Sequence, residues 1–164
     1  DEHEKLNVFS HGLGSFLAIL AMIILLKENS YKSFYAASGL VIYSITLISM
    51  LTVSTLYHCV TNRLLKHRLR ILDHINIYYL IAGTYTPVAL ITLINGWLIV
   101  FDLDNLINNT SEKGIQLLML GGAFYTIGII FYAIKKIPYN HFIWHLFVLG
   151  GAVSHWFFIY LDVV

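Results

Sequence analysis

The sequence predicts an all-α, polytopic transmembrane helix bundle. Three observations carry this: an apolar composition, apolar runs of bilayer length, and a grouping of the few charges between those runs. Of the 164 residues, 58% are hydrophobic and only 12% are charged, and mean hydropathy is +0.73. A soluble domain carries about a quarter charged residues. This chain has too few polar groups to coat an apolar core of its size, so the bilayer is its expected solvent. Residues 1–164 read as a single integral membrane domain. The net charge of +1 excludes a broad nucleic-acid footprint. The one cysteine, Cys59, excludes an internal disulfide and a CxxC metal or redox motif.

Five runs are each long enough to cross about 30 Å of hydrocarbon: Leu6–Leu26, Phe34–Val60, His74–Asn95, Ile115–Ile134 and His141–Leu161. Helices are the expected form, because a lone segment in lipid must bond its own backbone groups internally. The alternating strands of a membrane barrel are absent. Trp97–Phe101 is apolar but too short to span, and a polar stretch, Asp102–Gly114, follows it. Pro87, inside the third run, is expected to kink its helix. Gly121 and Gly122 in the fourth permit close helix packing.

Charge predicts the orientation. Thr61–Arg70 reads as a loop with Arg63, Lys66, Arg68 and Arg70 and no acid; the loop after the fourth run carries Lys135 and Lys136. Asp102, Asp104 and Glu112 mark the opposite side. The positive-inside rule then puts the N-terminus and both basic loops in the cytoplasm.

Ionisable residues within hydrocarbon are rare and usually functional, and this apolar chain has eight histidines. Ser54 and His58 lie four apart near the inner end of the second run. Asp73 is expected at the inner start of the third helix. His141 and His145 form an H-x3-H pair at the inner start of the fifth, one turn apart on one face. That spacing lets two imidazoles reach one metal ion, with His58 supplying a third nitrogen. Three protein ligands with an open position is the catalytic pattern for zinc, and imidazole ligands favour zinc among the common divalent ions. Asp73 is placed to hold or deprotonate a water there. Plainer readings stand beside these. Helix-end histidines often sit at the interface, Ser54 can bond its own backbone, and Asp73 can cap its helix. Glu4, Asn7 and His11 share a face of the first helix, where they either support the site or anchor the chain. His155, about 15 Å deeper, reads as a hydrogen-bonded interhelical residue. His67 and His74 read as interfacial.

The motifs E-x2-N-x3-H at Glu4–His11, S-T-L-Y-H at Ser54–His58 and L-D-H at Leu72–His74 resemble those of the hemolysin III family. So do I-A-G-T-Y-T-P at Ile81–Pro87, G-G-A-F-Y-T-I-G at Gly121–Gly128 and H-F-I-W-H-L-F-V-L at His141–Leu149. These bacterial proteins are relatives of the progestin and adipoQ receptors, in a superfamily with the alkaline ceramidases. The resemblance implies a seven-helix fold, zinc on His58, His141 and His145, Asp73 as the partner of a water, and Ser54 as the neighbouring hydroxyl. The sequence departs from the family between Asn95 and Trp97, where two family helices have no counterpart. An even number leaves the orientation of the last two helices unchanged.

The leading functional expectation is a zinc-dependent intramembrane hydrolase of a lipid amide or ester in the bacterial plasma membrane, with membrane lipid as substrate or ligand and the zinc site near the cytoplasmic side. The alternatives are a non-enzymatic zinc-containing sensor or receptor, and a cytolytic protein as the family name suggests. A transporter ranks lower, because the polar groups crowd one leaflet.

Overall fold

A computed structural model of the chain describes residues 2–28, 34–92, 106–108 and 110–163, with the side chains of 88–92 left aside. The junction at Asn95–Trp97 and the short run Trp97–Phe101 lie outside the described residues. Among the described residues there are five long helices: α1 (Glu2–Glu28), α2 (Phe34–Cys59), α3 (Arg63–Thr92), α4 (Glu112–Ala133) and α5 (Asn140–Asp162). Among the described residues, α1, α2, α4 and α5 are each long and apolar enough to cross a membrane.

The distribution of side chains is that of a membrane bundle. Large apolar residues face outward, among them Phe9, Phe16 and Ile23 at seven-residue intervals on α1. Polar ones are turned inward: Asn7, Ser10, His11, Ser54, His58, Asp73, Thr84, His145 and His155 are all buried. Water would impose the reverse arrangement. With lipid outside, the apolar surface costs nothing, and polar groups gain by meeting one another between helices.

The helices pack as a row, α3 on α2, α2 on α1, α1 on α5 and α5 on α4. Small residues set the close approaches. A side chain at Gly39 of α2 would collide with Pro87 of α3, and one at Gly14 of α1 would strike Leu149 of α5. Between α4 and α5 the seats alternate: Gly128 faces Trp144 and Phe147, while Gly151 faces Tyr125. The two flanks of the row, α3 and α4, meet through a hydrogen bond of 3.1 Å between His74 Nε2 and the Tyr132 hydroxyl.

One expectation requires correction. The basic stretch Thr61–Arg70 is mostly helix, since α3 begins at Arg63 rather than near His74. Asn62 caps it, its Oδ1 accepting the Leu65 N–H at 3.1 Å. Leu, Lys and Arg are good helix formers, so the helix runs on past the apolar layer. Asp73 is therefore ten residues inside α3 and cannot be a helix cap.

At the other turn on this end, Tyr139 adopts a left-handed conformation (φ 58°), which costs a non-glycine residue about 1–2 kcal/mol. Asn140 Nδ2 donates back to the Phe131 carbonyl at 3.3 Å. The turn reverses the chain within six residues and delivers His141 to the first turn of α5.

Candidate metal centre

The N-terminal ends of α1, α3 and α5 and the C-terminal end of α2 meet on the basic side of the bundle. His58 arrives from α2, and His141 and His145 from α5. His141 Nε2 lies 3.1 Å from His58 Nε2 and 3.2 Å from His145 Nε2. One ligand atom from each residue lies within 4.8 Å of the others.

The opposite edges of two rings explain which nitrogens face inward. His58 Nδ1 donates to Glu4 Oε2, and Lys66 Nζ holds the other carboxylate oxygen at 2.8 Å. Ser10 Oγ donates to the Asn7 carbonyl at 3.0 Å, which leaves it to accept from His145 Nδ1 at 3.3 Å. With protons on Nδ1, His58 and His145 each point an Nε2 lone pair at the space beside His141. Those lone pairs can be met by a proton on His141 Nε2 or, with that proton removed, by a cation lying among the three nitrogens. Tetrahedral zinc with bonds of about 2.0–2.1 Å separates neighbouring nitrogens by about 3.3–3.4 Å. The two spacings to His141 are close to that, and the carboxylate behind His58 is the usual support for a metal-binding imidazole. The donor set could hold a metal ion.

Asp73 and Ser54 are buried beside the histidines. Both line a cavity of about 330 Å³ together with His141, His145, Trp144 and Val148. Its wall is mostly apolar, with Ile77, Tyr78 and Ile81 from α3 and Ile129 from α4. A second, wider cleft of about 770 Å³ opens on the basic side, lined by His58, His141, Arg70 and Lys135. His141, His74 and Tyr132 border both spaces. The histidines thus sit between a polar mouth and an apolar interior.

All five residues expected at the site, His58, His141, His145, Asp73 and Ser54, come to this one end. Of the α1 residues, Glu4 touches His58, and His11 stacks on His145. Ser10 was not foreseen, because a lone serine in an apolar helix has no distinguishing spacing. His74 is more than interfacial: its Nδ1 donates to the Arg70 carbonyl at 2.7 Å, so its Nε2 accepts from Tyr132. Its place next to Asp73 in the L-D-H motif is the one signal that could have marked it. His155 lies away from the cluster, as expected, with Nε2 donating to the Leu118 carbonyl at 3.3 Å.

Fold and site together define a class: an integral membrane helix bundle whose basic end carries a buried imidazole cluster able to hold a metal. Comparison with known proteins narrows it. The Haemolysin-III related family model matches residues 2–103 and 91–156, and the chain belongs to that family. Hemolysin-3 of Bacillus cereus is 34% identical over 196 residues, covering 95% of this chain and 90% of that protein. The Hemolysin-3 homolog of Bacillus subtilis (strain 168) is 33% identical, covering 95% and 92%. The human monocyte to macrophage differentiation factor is 26% identical, covering 94% and 82%. No solved structure matches significantly. The alignments to the bacterial relatives run over 196 residues, whereas this chain has 164. The relatives therefore carry residues with no counterpart here, and the two family-model stretches overlap around the Gly96–Trp97 junction.

Proposed function

We propose that this protein is a zinc-dependent intramembrane hydrolase of a lipid amide or ester. The observation that supports it best is the position of the three imidazoles, between an aqueous cleft and an apolar cavity, with Asp73 and Ser54 on the cavity side. His58, His141 and His145 would hold the zinc, which when bound would polarise a carbonyl and acidify a water. The remaining work falls to the chain. The cavity takes up an acyl chain and excludes bulk water from it. Asp73 accepts a proton from the attacking water. Ser54 donates to that carboxylate and fixes which oxygen faces the water. Glu4 and Ser10 keep both Nδ1 protons in place, so the Nε2 lone pairs remain available. Lys66 neutralises the second oxygen of Glu4.

The charges support an orientation as well. Arg63, Lys66, Arg68, Arg70, Lys135 and Lys136 all lie at the histidine end, and this favours the cytoplasmic face of a bacterial plasma membrane for that end. A reporter fused at Asn140 is expected to read as cytoplasmic; an external reading overturns the orientation.

The deciding experiment incubates purified protein with a ceramide-like acyl substrate. Turnover that falls about 100-fold or more in Asp73→Ala, with zinc retained, is the expected result. Equal turnover in that variant defeats the mechanism. A second reading, a non-enzymatic sensor in which zinc is structural, draws on one feature: the cluster ties α2 to α5, which flank α1 on opposite sides. In that case zinc removal unfolds the bundle, and no substrate turns over.

A further inference from the structure

His11 has no task in the hydrolase reading, yet its surroundings single it out. The residue is 2% exposed, and neither Nδ1 nor Nε2 has a hydrogen-bond partner among the described residues. Its ring lies flat on His145, with centroids 3.6 Å apart and planes inclined by 10°. It lines the apolar cavity beside Ser54 and Asp73. A neutral imidazole carries one N–H and one lone pair, and native interiors rarely leave either unpaired. On α1, Ser10 is engaged with His145 and the Asn7 carbonyl, and Glu4 with His58 and Lys66; Asn7 Oδ1, one turn before His11, is likewise buried without a partner and does not serve the His11 ring. The cavity wall joins apolar Met50 and Val148 to polar Ser54 and Asp73, and none of them bonds the His11 ring.

Whatever fills the cavity can supply the missing partner. That occupant is apolar along most of its length and carries a polar group able to accept a hydrogen bond where His11 stands. An acyl amide or ester meets this description. We propose that His11 receives the carbonyl group of the acyl ligand, its ring N–H donating to the carbonyl oxygen. The assignment rests on the acyl-lipid reading above. Stacking on His145 fixes the tilt of the ring, so a carbonyl held by His11 lies beside the three-histidine centre and Asp73. The acyl chain runs along Met50, Ile81 and Val148. His11 acts here as a donor to the ligand and takes no proton from water, which is the task of Asp73.

The test uses the whole protein, zinc-loaded in detergent, with sphingosine carrying a six-carbon N-acyl chain as probe. Binding, turnover, zinc content and melting temperature are measured for wild type, His11→Phe and His11→Gln. Phenylalanine keeps the flat ring on His145 and removes the donor; glutamine restores an N–H at similar reach. The phenylalanine variant is expected to bind the probe about tenfold more weakly, and the glutamine variant to recover most of that loss. Zinc content stays the same, and the ligand-free phenylalanine variant melts no lower than wild type, since it no longer buries unpaired polar atoms. Unchanged binding by His11→Phe overturns the assignment. Loss of zinc or a clearly lower melting temperature in that variant also overturns it, because His11 is then structural. Wild-type binding without turnover ends the hydrolase reading and leaves His11 in place. Turnover that is identical in wild type and His11→Phe, with equal binding, does the opposite. Wild type that neither binds nor turns over the probe ends both.

Discussion

His145 and His155 are on the same helix, ten residues apart, and each is 1% exposed. Their surroundings differ completely. His145 has one ring nitrogen held by Ser10 and the other turned toward two more imidazoles. His155 bonds one carbonyl, packs edge-on against Tyr125 with centroids 5.4 Å apart, and fits against Gly121, where any side chain would collide with its ring. Burial is therefore a poor guide to chemistry in this protein. Convergence of groups from different helices, each with its outer edge already satisfied, separates a site from a packing residue.

Substitutions that separate the two regions sharpen the contrast. The largest effect is expected from replacing both His141 and His145 with alanine. Elemental analysis should give about one zinc per chain for wild type and essentially none for the double variant. A folded wild type without zinc, even when supplied with it, would return all three histidines to an interfacial role. Glu4→Gln comes next. It leaves the ligands untouched but weakens the hold on the His58 Nδ1 proton, so zinc affinity should fall about 10–100-fold in a competition titration. An unchanged affinity would mean that Glu4 serves Lys66 alone. The smallest effect belongs to the deeper region. His155→Leu keeps most of the volume and gives up one hydrogen bond, so zinc content should not change and stability should shift by about 1 kcal/mol. Zinc loss in that variant would join the two regions into one network and erase the distinction.

The sequence made the helices legible because their apolar runs match the bilayer. It made the centre legible because His141 and His145 share a helix turn, and because the basic residues mark the level at which His58 and Asp73 lie. Other features were hidden for physical reasons. Hydropathy marks where the hydrocarbon begins, which in α3 is well past Arg63, so the helix start was missed and Asp73 was read as a possible cap. The order of helices in the row was not legible either: faces that are apolar all round do not announce their neighbours. Ser10 and the unpartnered ring of His11 became visible only through contacts between α1 and residues distant in sequence.

The distribution of the ligands along the chain has a consequence for biogenesis. His58 and His141 are separated by 83 positions, and the carboxylate behind His58 belongs to the first helix while two of the three imidazoles belong to the last. During N-to-C synthesis, a chain that has inserted α1 to α4 offers only one of the three converging imidazoles, His58. Closing so long a loop carries an entropic cost that is recovered only when α5 enters the bilayer and joins α1. An ion held by these three histidines would be captured only after α5 has entered, so its retention would report that α2 and α5 have met.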